Sequence, residues 1–254
     1  MLKQHICTKS PGLSDRIVLI PTYNEIENIE KMVRTVMTLP LDFDVLIIDD
    51  SSPDGTGETV QKLQSEFDRL HLLSRKGKEG LGKAYIAGFK WALERHYEYI
   101  FEMDCDFSHN PKDLIPLYEA CAKEGADMSI GSRYVTGVNV VNWPIQRVLL
   151  SYFASSYVRR VMGMPIKDST AGFVCFTRKV LETINLDKIK FKGYAFQIEM
   201  KFNTWKFKFK IKEVPIIFTD RSEGTSKMSK GIVKEAFFGV IELKLWSFFH
   251  KYKR

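Results

Sequence analysis

The sequence predicts a single α/β domain on a mostly parallel sheet, and three observations predict it. Short apolar runs alternate with helix-length segments through the first hundred residues, the pattern of successive β-α-β units. Each run ends in a polar, turn-forming cluster. No internal repeat, low-complexity tract or Gly/Ser linker divides the chain, and 254 residues suit one well-filled core.

The elements follow in order. Residues 17–20 form a strand broken by Pro21-Thr22-Tyr23-Asn24, with Thr22 or Asn24 capping a helix to about Met37. Residues 44–48 form a second strand, ended by the turn-rich Asp49 to Gly57 stretch. A helix to about Phe67, a strand over 71–74, a glycine-rich turn over 76–82, a helix to about His96 and a strand over 99–103 come next. The second half is less regular. Strands are expected over 128–130, 173–176 and 214–218, an apolar helix over 147–161, and a polar loop over 219–229. The domain therefore spans 16–230, between a flexible tail over 1–15 and an amphipathic C-terminal helix over 231–254.

Composition narrows the function. Hydrophobic residues at 44% and charged residues at 27% exclude a disordered chain, and the net charge of +7 favours anionic partners. There is no RNP-like aromatic motif, no Cys/His zinc spacing and no basic cluster interleaved with aromatics, so nucleic acid is not expected as a partner. Cys7, Cys105, Cys121 and Cys175 are irregularly spaced, as reduced thiols of a cytoplasmic protein are. The N-terminus has no signal-peptide core, and no uncharged apolar run approaches the roughly 18 residues a membrane span needs. If the protein works at a membrane, it lies on the surface.

In open parallel sheets ligands bind at the carboxyl ends of the strands, so candidate residues are sought there. Asp104-Cys105-Asp106 ends the strand over 99–103, and residues i and i+2 of an extended segment face the same side. Two such carboxylates suit Mg²⁺ or Mn²⁺ completed by diphosphate oxygens; a solvated loop with two acids is the plainer alternative. Asp49-Asp50 ends the second strand, where one acid can accept from a base or ribose and the other serve the turn. The spacing of Asp50 and Asp54 does not match the DxDxT of an aspartyl nucleophile. Gly77 to Lys83 leads into a helix N-terminus that could hold phosphate, without Walker or GxGxxG spacing. Arg133, Arg221 and Lys227 lie in Gly- and Ser-rich loops and suit phosphate contacts. His109 follows the acid pair closely, and a loop histidine satisfied by backbone is its ordinary reading. No Ser-His-Asp or Cys-His arrangement is legible.

Together the motifs resemble dolichol-phosphate mannosyltransferases, inverting enzymes of glycosyltransferase family 2 with the Rossmann-like GT-A fold. The resemblance rests on Pro21-Thr22-Tyr23-Asn24-Glu25, Ile48-Asp49-Asp50-Ser51-Ser52-Pro53-Asp54-Gly55-Thr56, Gly80-Leu81-Gly82 and Met103 to His109. It continues through Gly131 to Tyr134, Asp168 to Phe173, Gly193 to Met200 and the Arg221 to Lys227 loop. It implies GDP-mannose as donor, a polyprenyl (dolichyl) phosphate as acceptor, and Mg²⁺ or Mn²⁺ as cofactor. By resemblance Pro21, Tyr23, Glu25, Ile48 and Asp50 line the guanosine site, and Cys105 sits beside the donor. Asp104 and Asp106 hold the metal, while Arg133, Arg221 and Lys227 contact phosphates. Position 105 is Cys where Ala is usual. Position 108 is Ser where some members have a Gln ligand, so Ser108 ligates directly or through water. The chain resembles the type without transmembrane helices, peripheral at the cytoplasmic membrane face, for which a small membrane subunit is a candidate partner.

This chemistry needs no general base, because a phosphate monoester, with a second pKa of about 6, is already an anionic nucleophile. The C-terminal stripe of Val233, Ala236, Phe237, Val240, Ile241, Leu245, Phe248 and Phe249 suits a bilayer interface, as does the apolar helix over 147–161. Packing on the domain's own core gives the same stripe. Lys244 falls inside it, which suits snorkelling. A transferase using UDP-glucose or another donor, a non-catalytic nucleotide-binding module and a membrane scaffold remain as alternatives.

Overall fold

A computed structural model describes residues 14–193, 195–220, 230–249 and 252. The first half runs β1 (Arg16–Thr22), α1 (Ile26–Met37), β2 (Asp44–Asp49), α2 (Thr56–Leu63), β3 (Leu70–Ser74), α3 (Leu81–Leu93) and β4 (Tyr99–Glu102). The second half runs α4 (Leu114–Ala122), β5 (Met128–Ser132), β6 (Val140–Val141), α5 (Ile145–Met162), β7 (Val174–Thr177) and α6 (Arg178–Thr183). It ends with α7 (Ala195–Lys206), β8 (Ile211–Pro215), β9 (Phe218–Thr219) and α8 (Lys230–Phe249).

Seven strands form one sheet in the order β3-β2-β1-β4-β7-β5-β8. Every ladder is parallel except the two made by β7, which runs antiparallel to β4 and β5. β1 and β2 are buried along nearly their whole length, and their Val/Ile/Leu-rich runs suit that position. One core cluster, with Leu19, Ile48, Tyr85 and Phe196, covers one face; the other, with Val18, Ile47, Met32 and Leu114, covers the opposite face. Strand order reverses between β1 and β4, so a crevice opens at their carboxyl ends.

Several expectations are corrected. Neither Thr22 nor Asn24 caps α1: the Thr22 hydroxyl donates to Asp49, and Asn24 sits in left-handed backbone at φ 57°. The cap comes from the next strand's turn. Asp54 Oδ2 accepts the Ile26 amide at 3.1 Å, Thr56 Oγ1 accepts the Glu25 amide at 3.1 Å, and Ser52 Oγ accepts the Asn24 amide at 3.1 Å. The Ser-Ser-Pro-Asp-Gly-Thr run thus fastens the β1–α1 and β2–α2 loops together. β8 is shifted toward the N-terminus from the expected 214–218; Pro215 ends it, and Phe218–Thr219 pairs with β6 instead.

The ends of the chain also differ from expectation. Ser14 and Asp15, expected in the tail, are anchored: Ser14 Oγ reaches the Asp42 carbonyl at 2.9 Å, and the Asp15 carbonyl accepts the Tyr99 amide at 3.0 Å. The rest of the expected tail, including Cys7, lies outside the described residues. α8 packs on α5 and α7, with Val240 and Leu243 in the core. Lys244 does not snorkel; its ammonium donates to the Met162 carbonyl at the end of α5, at 3.1 Å. Among the described residues, no helix is long and apolar enough to cross a membrane.

Candidate active site

The crevice gathers three strand-end turns, and each is shaped by a residue in left-handed backbone: Asn24 after β1, Ser51 after β2 and Phe107 after β4. Such non-glycine conformations cost on the order of 1–3 kcal/mol and persist where the surroundings hold them.

After β4, Asp106 is buried and its Oδ1 accepts the Ser108 amide at 3.0 Å and the Ser108 hydroxyl at 2.5 Å. Ser108 therefore positions Asp106, which favours an orienting role for Ser108 over direct ligation. The Asp104 amide donates to His109 Nδ1 at 3.3 Å, which puts the imidazole proton on Nε2. Burial pushes the His109 pKa down to about 4, so the ring is neutral. It stacks on Phe173 at 4.8 Å and meets Phe218 edge-on at 5.3 Å. Among the described residues no group of three or more His, Cys, Asp or Glu could hold a metal. Two carboxylates at a crevice nevertheless fit Mg²⁺ or Mn²⁺ of the kind that takes its other ligands from diphosphate and water. Asp104 and Asp106 would hold that ion.

After β2 the acids are used differently. Asp49 accepts from the Thr22 hydroxyl at 2.9 Å, the Ser52 amide at 3.0 Å and the Ser52 hydroxyl at 2.5 Å, so it staples the turn. Asp50 pairs with Arg75 at 2.6 Å, and burial pushes its carboxyl up against the pull of that guanidinium. Tyr23 lies under the Lys78 ammonium at 4.6 Å, and Glu25 accepts from Asn28 at 3.2 Å. Pro21 is half-buried on β1. These groups lie together at the carboxyl ends of β1 and β2.

Two other assignments are corrected. Ile48 is fully buried and would be 2.5 Å from a Cβ placed on Gly88 of α3, so its side chain belongs to the core. Cys105 is likewise turned into the core, where burial pushes its thiol pKa up.

The Gly80-Leu81-Gly82 run does not present a phosphate cradle. The Gly82 amide donates to the Lys192 carbonyl at 2.8 Å, and a Cβ at Gly82 would stand 2.8 Å from the Phe191 carbonyl oxygen. Glycine is required there so that α3 can approach the backbone before α7.

Arg133 is not an open phosphate ligand. Its Nε and Nη2 donate to Asp168 at 2.7 and 2.6 Å, and Nη2 also reaches Thr170 at 2.9 Å. The rings of Tyr134, Trp143 and Phe218 surround its guanidinium at 5.3, 5.6 and 5.5 Å. Burial disfavours a charged Asp168, but the Arg133 guanidinium outweighs it and holds the carboxyl below its ordinary value. Arg221 and Lys227 lie outside the described residues.

Beneath the acids lies a polar cluster the sequence did not reveal. Glu102 on β4 and Gln197 and Lys201 on α7 are all buried. Gln197 Nε2 donates to Glu102 at 2.8 Å, and Lys201 Nζ donates to the Gln197 side chain at 3.1 Å and to the Ala171 carbonyl at 2.6 Å. Burial pushes Glu102 up and Lys201 down, and each pulls the other back. Arg75 and Asp168 were missed as well. A long-range acid–guanidinium pair leaves no mark on local spacing, although Asp168 did stand inside a motif.

Comparison with known proteins agrees with this fold. The profile described as Glycosyl transferase family 2 matches residues 17–184. The chain is 46% identical over 227 residues to the polyprenol monophosphomannose synthase of Mycolicibacterium smegmatis, covering 89% of this chain and 85% of that protein. It is also 46% identical over 224 residues to the undecaprenyl-phosphate mannosyltransferase of Micrococcus luteus, covering 88% and 91%. To the dolichol-phosphate mannosyltransferase of Pyrococcus furiosus it is 36% identical, covering 90% of this chain and 63% of that protein. Among solved structures, glucosyl-3-phosphoglycerate synthase from Mycobacterium tuberculosis, in complex with Mn²⁺, UDP-glucose and phosphoglyceric acid, shares the fold. Its TM-score is 0.66 at 15% identity, over 93% of this chain and 85% of that one. With the expected α/β sheet and the acid pair at its switch point, the chain belongs to glycosyl transferase family 2.

Proposed function

We propose that the protein transfers mannose from GDP-mannose to a polyprenyl phosphate, with inversion, at the cytoplasmic face of a membrane. The relatives named for polyprenyl-phosphate mannosyl transfer support the reaction class.

One structural observation supports the lipid acceptor above others. The site is joined by a run of rings to an exposed apolar helix. His109 meets Phe218, Phe218 meets Trp143 at 5.2 Å, and Trp143 stands two residues before α5. α5 exposes Ile145, Leu149, Leu150, Tyr152 and Phe153, and the adjoining α8 exposes Phe238, Ile241, Leu245, Phe248 and Phe249. A lipid chain lying along these faces would bring its phosphate to the mouth of the crevice. Arg147, 4.1 Å over Trp143 and paired with Asp220, stands at that mouth.

The donor base and ribose would occupy the space around Tyr23, Glu25 and Asp50. Asp104 and Asp106 would hold Mg²⁺ or Mn²⁺, which when bound would neutralise the leaving diphosphate. Ser108 fixes the Asp106 carboxylate, and neutral His109 fixes the Asp104 backbone without adding positive charge. An acceptor phosphate oxygen attacks the anomeric carbon as its bond to the diphosphate oxygen breaks, so no side chain need remove a proton. Arg221 and Lys227 would offset anionic charge, and Arg133, clamped by Asp168, would shape the wall between donor and acceptor. A small membrane subunit could add to the apolar α5/α8 face.

The test is incubation of the purified protein with polyprenyl phosphate, Mg²⁺ or Mn²⁺, and radiolabelled GDP-mannose or UDP-glucose. Label from GDP-mannose should enter the organic phase and be lost with EDTA. Label from UDP-glucose alone would keep the reaction class and overturn the donor.

A further inference from the structure

We infer that Lys201 is a positioning residue for the transfer reaction, holding the Asp104–Asp106 strand end and the Asp168–Gly172 turn in one register. The inference rests on the proposed transferase reading.

Lys201 is fully buried on α7, an unusual place for an ammonium, and its three donors meet three oxygens. These are the Ala171 carbonyl at 2.6 Å, the Gln197 side-chain oxygen at 3.1 Å and the Gln197 carbonyl at 3.3 Å. From there two routes lead to the acid pair. Along the first, Gln197 donates to Glu102, and Glu102 ends β4 two residues before Asp104. Along the second, Gly172 follows Ala171, and a Cβ at Gly172 would lie 3.9 Å from His109 Cε1. His109 in turn accepts the Asp104 amide.

The Asp168–Gly172 turn also carries the carboxylate that clamps Arg133 through both its backbone amide, at 2.9 Å, and its guanidinium. One ammonium therefore spans the two segments that must keep a fixed separation for in-line attack. The β4–β7 ladder fixes the two segments up to its last rung, the Glu102–Val174 pair, and past that rung neither Asp104–Asp106 nor Asp168–Gly172 belongs to the ladder. A fixed ammonium reaching the Ala171 carbonyl of one segment and, through the Gln197 amide, the Glu102 carboxylate at the base of the other extends that tie beyond the last rung. The Ala171 carbonyl is the shortest contact of this ammonium.

The test compares the full-length wild type with Lys201→Met, with Glu102→Gln, which keeps an oxygen for the Gln197 amide, and with the two combined. The double variant removes the opposed buried charges together, which restores stability where a single removal does not. Three quantities are read: Tm, Mn²⁺ binding by electron paramagnetic resonance in the presence of GDP, and kcat with donor KM for mannose transfer from GDP-mannose. Lys201→Met should lower Tm, and the double variant should recover it. The double variant should nevertheless stay about a hundredfold below Glu102→Gln alone in kcat, the scale expected when reacting groups are misplaced by about an ångström. Its donor KM should move less than about threefold, and its Mn²⁺ binding should weaken. A double variant that matches Glu102→Gln in both kcat and Mn²⁺ binding once Tm has recovered would reduce Lys201 to a charge compensator and overturn the inference. A wild type that binds Mn²⁺ with GDP but transfers no mannose would overturn the transferase reading, and the Mn²⁺ comparison would then decide the role of Lys201 by itself.

Discussion

At the carboxyl end of β2, Asp49 is met by Thr22 and Ser52 and Asp50 by Arg75. At the carboxyl end of β4, Asp106 is held by the amide and hydroxyl of Ser108, and the Asp104 backbone by a neutral imidazole. Both ends follow a buried strand with two acids, and in sequence they look alike. At the β2 end Asp49 is held by the neighbouring Ser52 and by Thr22 of β1, and Asp50 is paired with the Arg75 guanidinium that follows β3. At the β4 end the Ser108 hydroxyl and amide orient the Asp106 carboxylate, and the His109 ring holds the Asp104 backbone amide. In the proposed reaction the β4 pair receives a cation that arrives with substrate, and the β2 pair serves the fold and the rim of the nucleoside space.

The largest expected effect comes from the β4 pair. Asp104→Ala or Asp106→Ala should reduce transfer by at least about 10²–10³-fold, the scale of losing one preorganised electrostatic group. Turnover within tenfold of the wild type would break the comparison. At the β2 end the loss should appear in stability instead. Asp49→Ala strips the Thr22 hydroxyl and the Ser52 amide and hydroxyl of their acceptor in a buried turn, so it should cost about 2–3 kcal/mol in urea unfolding. Asp50→Asn should raise donor KM by about tenfold, equivalent to ~1.4 kcal/mol, with little change in kcat. An unchanged KM would remove Asp50 from the nucleoside space.

The smallest effect concerns a buried acid outside both pairs. Glu199 accepts the Lys190 and Phe191 amides, and burial pushes its pKa from 4.5 up to about 7. The folded state keeps this proton to a higher pH than the unfolded chain, so its contribution to stability falls as pH rises from 4.5 to about 7. Glu199→Gln should flatten that fall, measured as urea midpoints across the window. A slope unchanged by the substitution would assign the pH dependence to other groups.

Much of this architecture was legible because the first half is built from local signals. The runs at 17–20 and 44–48 became β1 and β2, and the turn-forming residues after each strand marked the crevice. The acid pair at the end of β4 was legible for the same reason. What escaped was long-range. Asp54 and Thr56 accept amides 28 and 31 residues earlier at the start of α1, and no spacing rule around Asn24 announces it. Arg75, Asp168 and Lys201 acquire partners 25 to 35 residues away or across the sheet. α7 has no polar stripe because all of Ala195 to Thr204 is buried, so the periodicity that reveals an amphipathic helix is absent. α8 is apolar on two sides, one packed through Val240 and Leu243 and the other exposed, and thus satisfies both the core and the interfacial readings at once.

The most direct test of the contrast is Mn²⁺ binding in the presence of GDP, followed by electron paramagnetic resonance. It would compare wild type with Asp104→Ala, Asp106→Ala, Asp49→Ala and Asp50→Asn. Loss of the bound signal in the two β4 variants, with retention in the two folded β2 variants, is the predicted result. Retention in both β4 variants, or loss in the β2 variants alone, would contradict the assignment of the metal to Asp104 and Asp106.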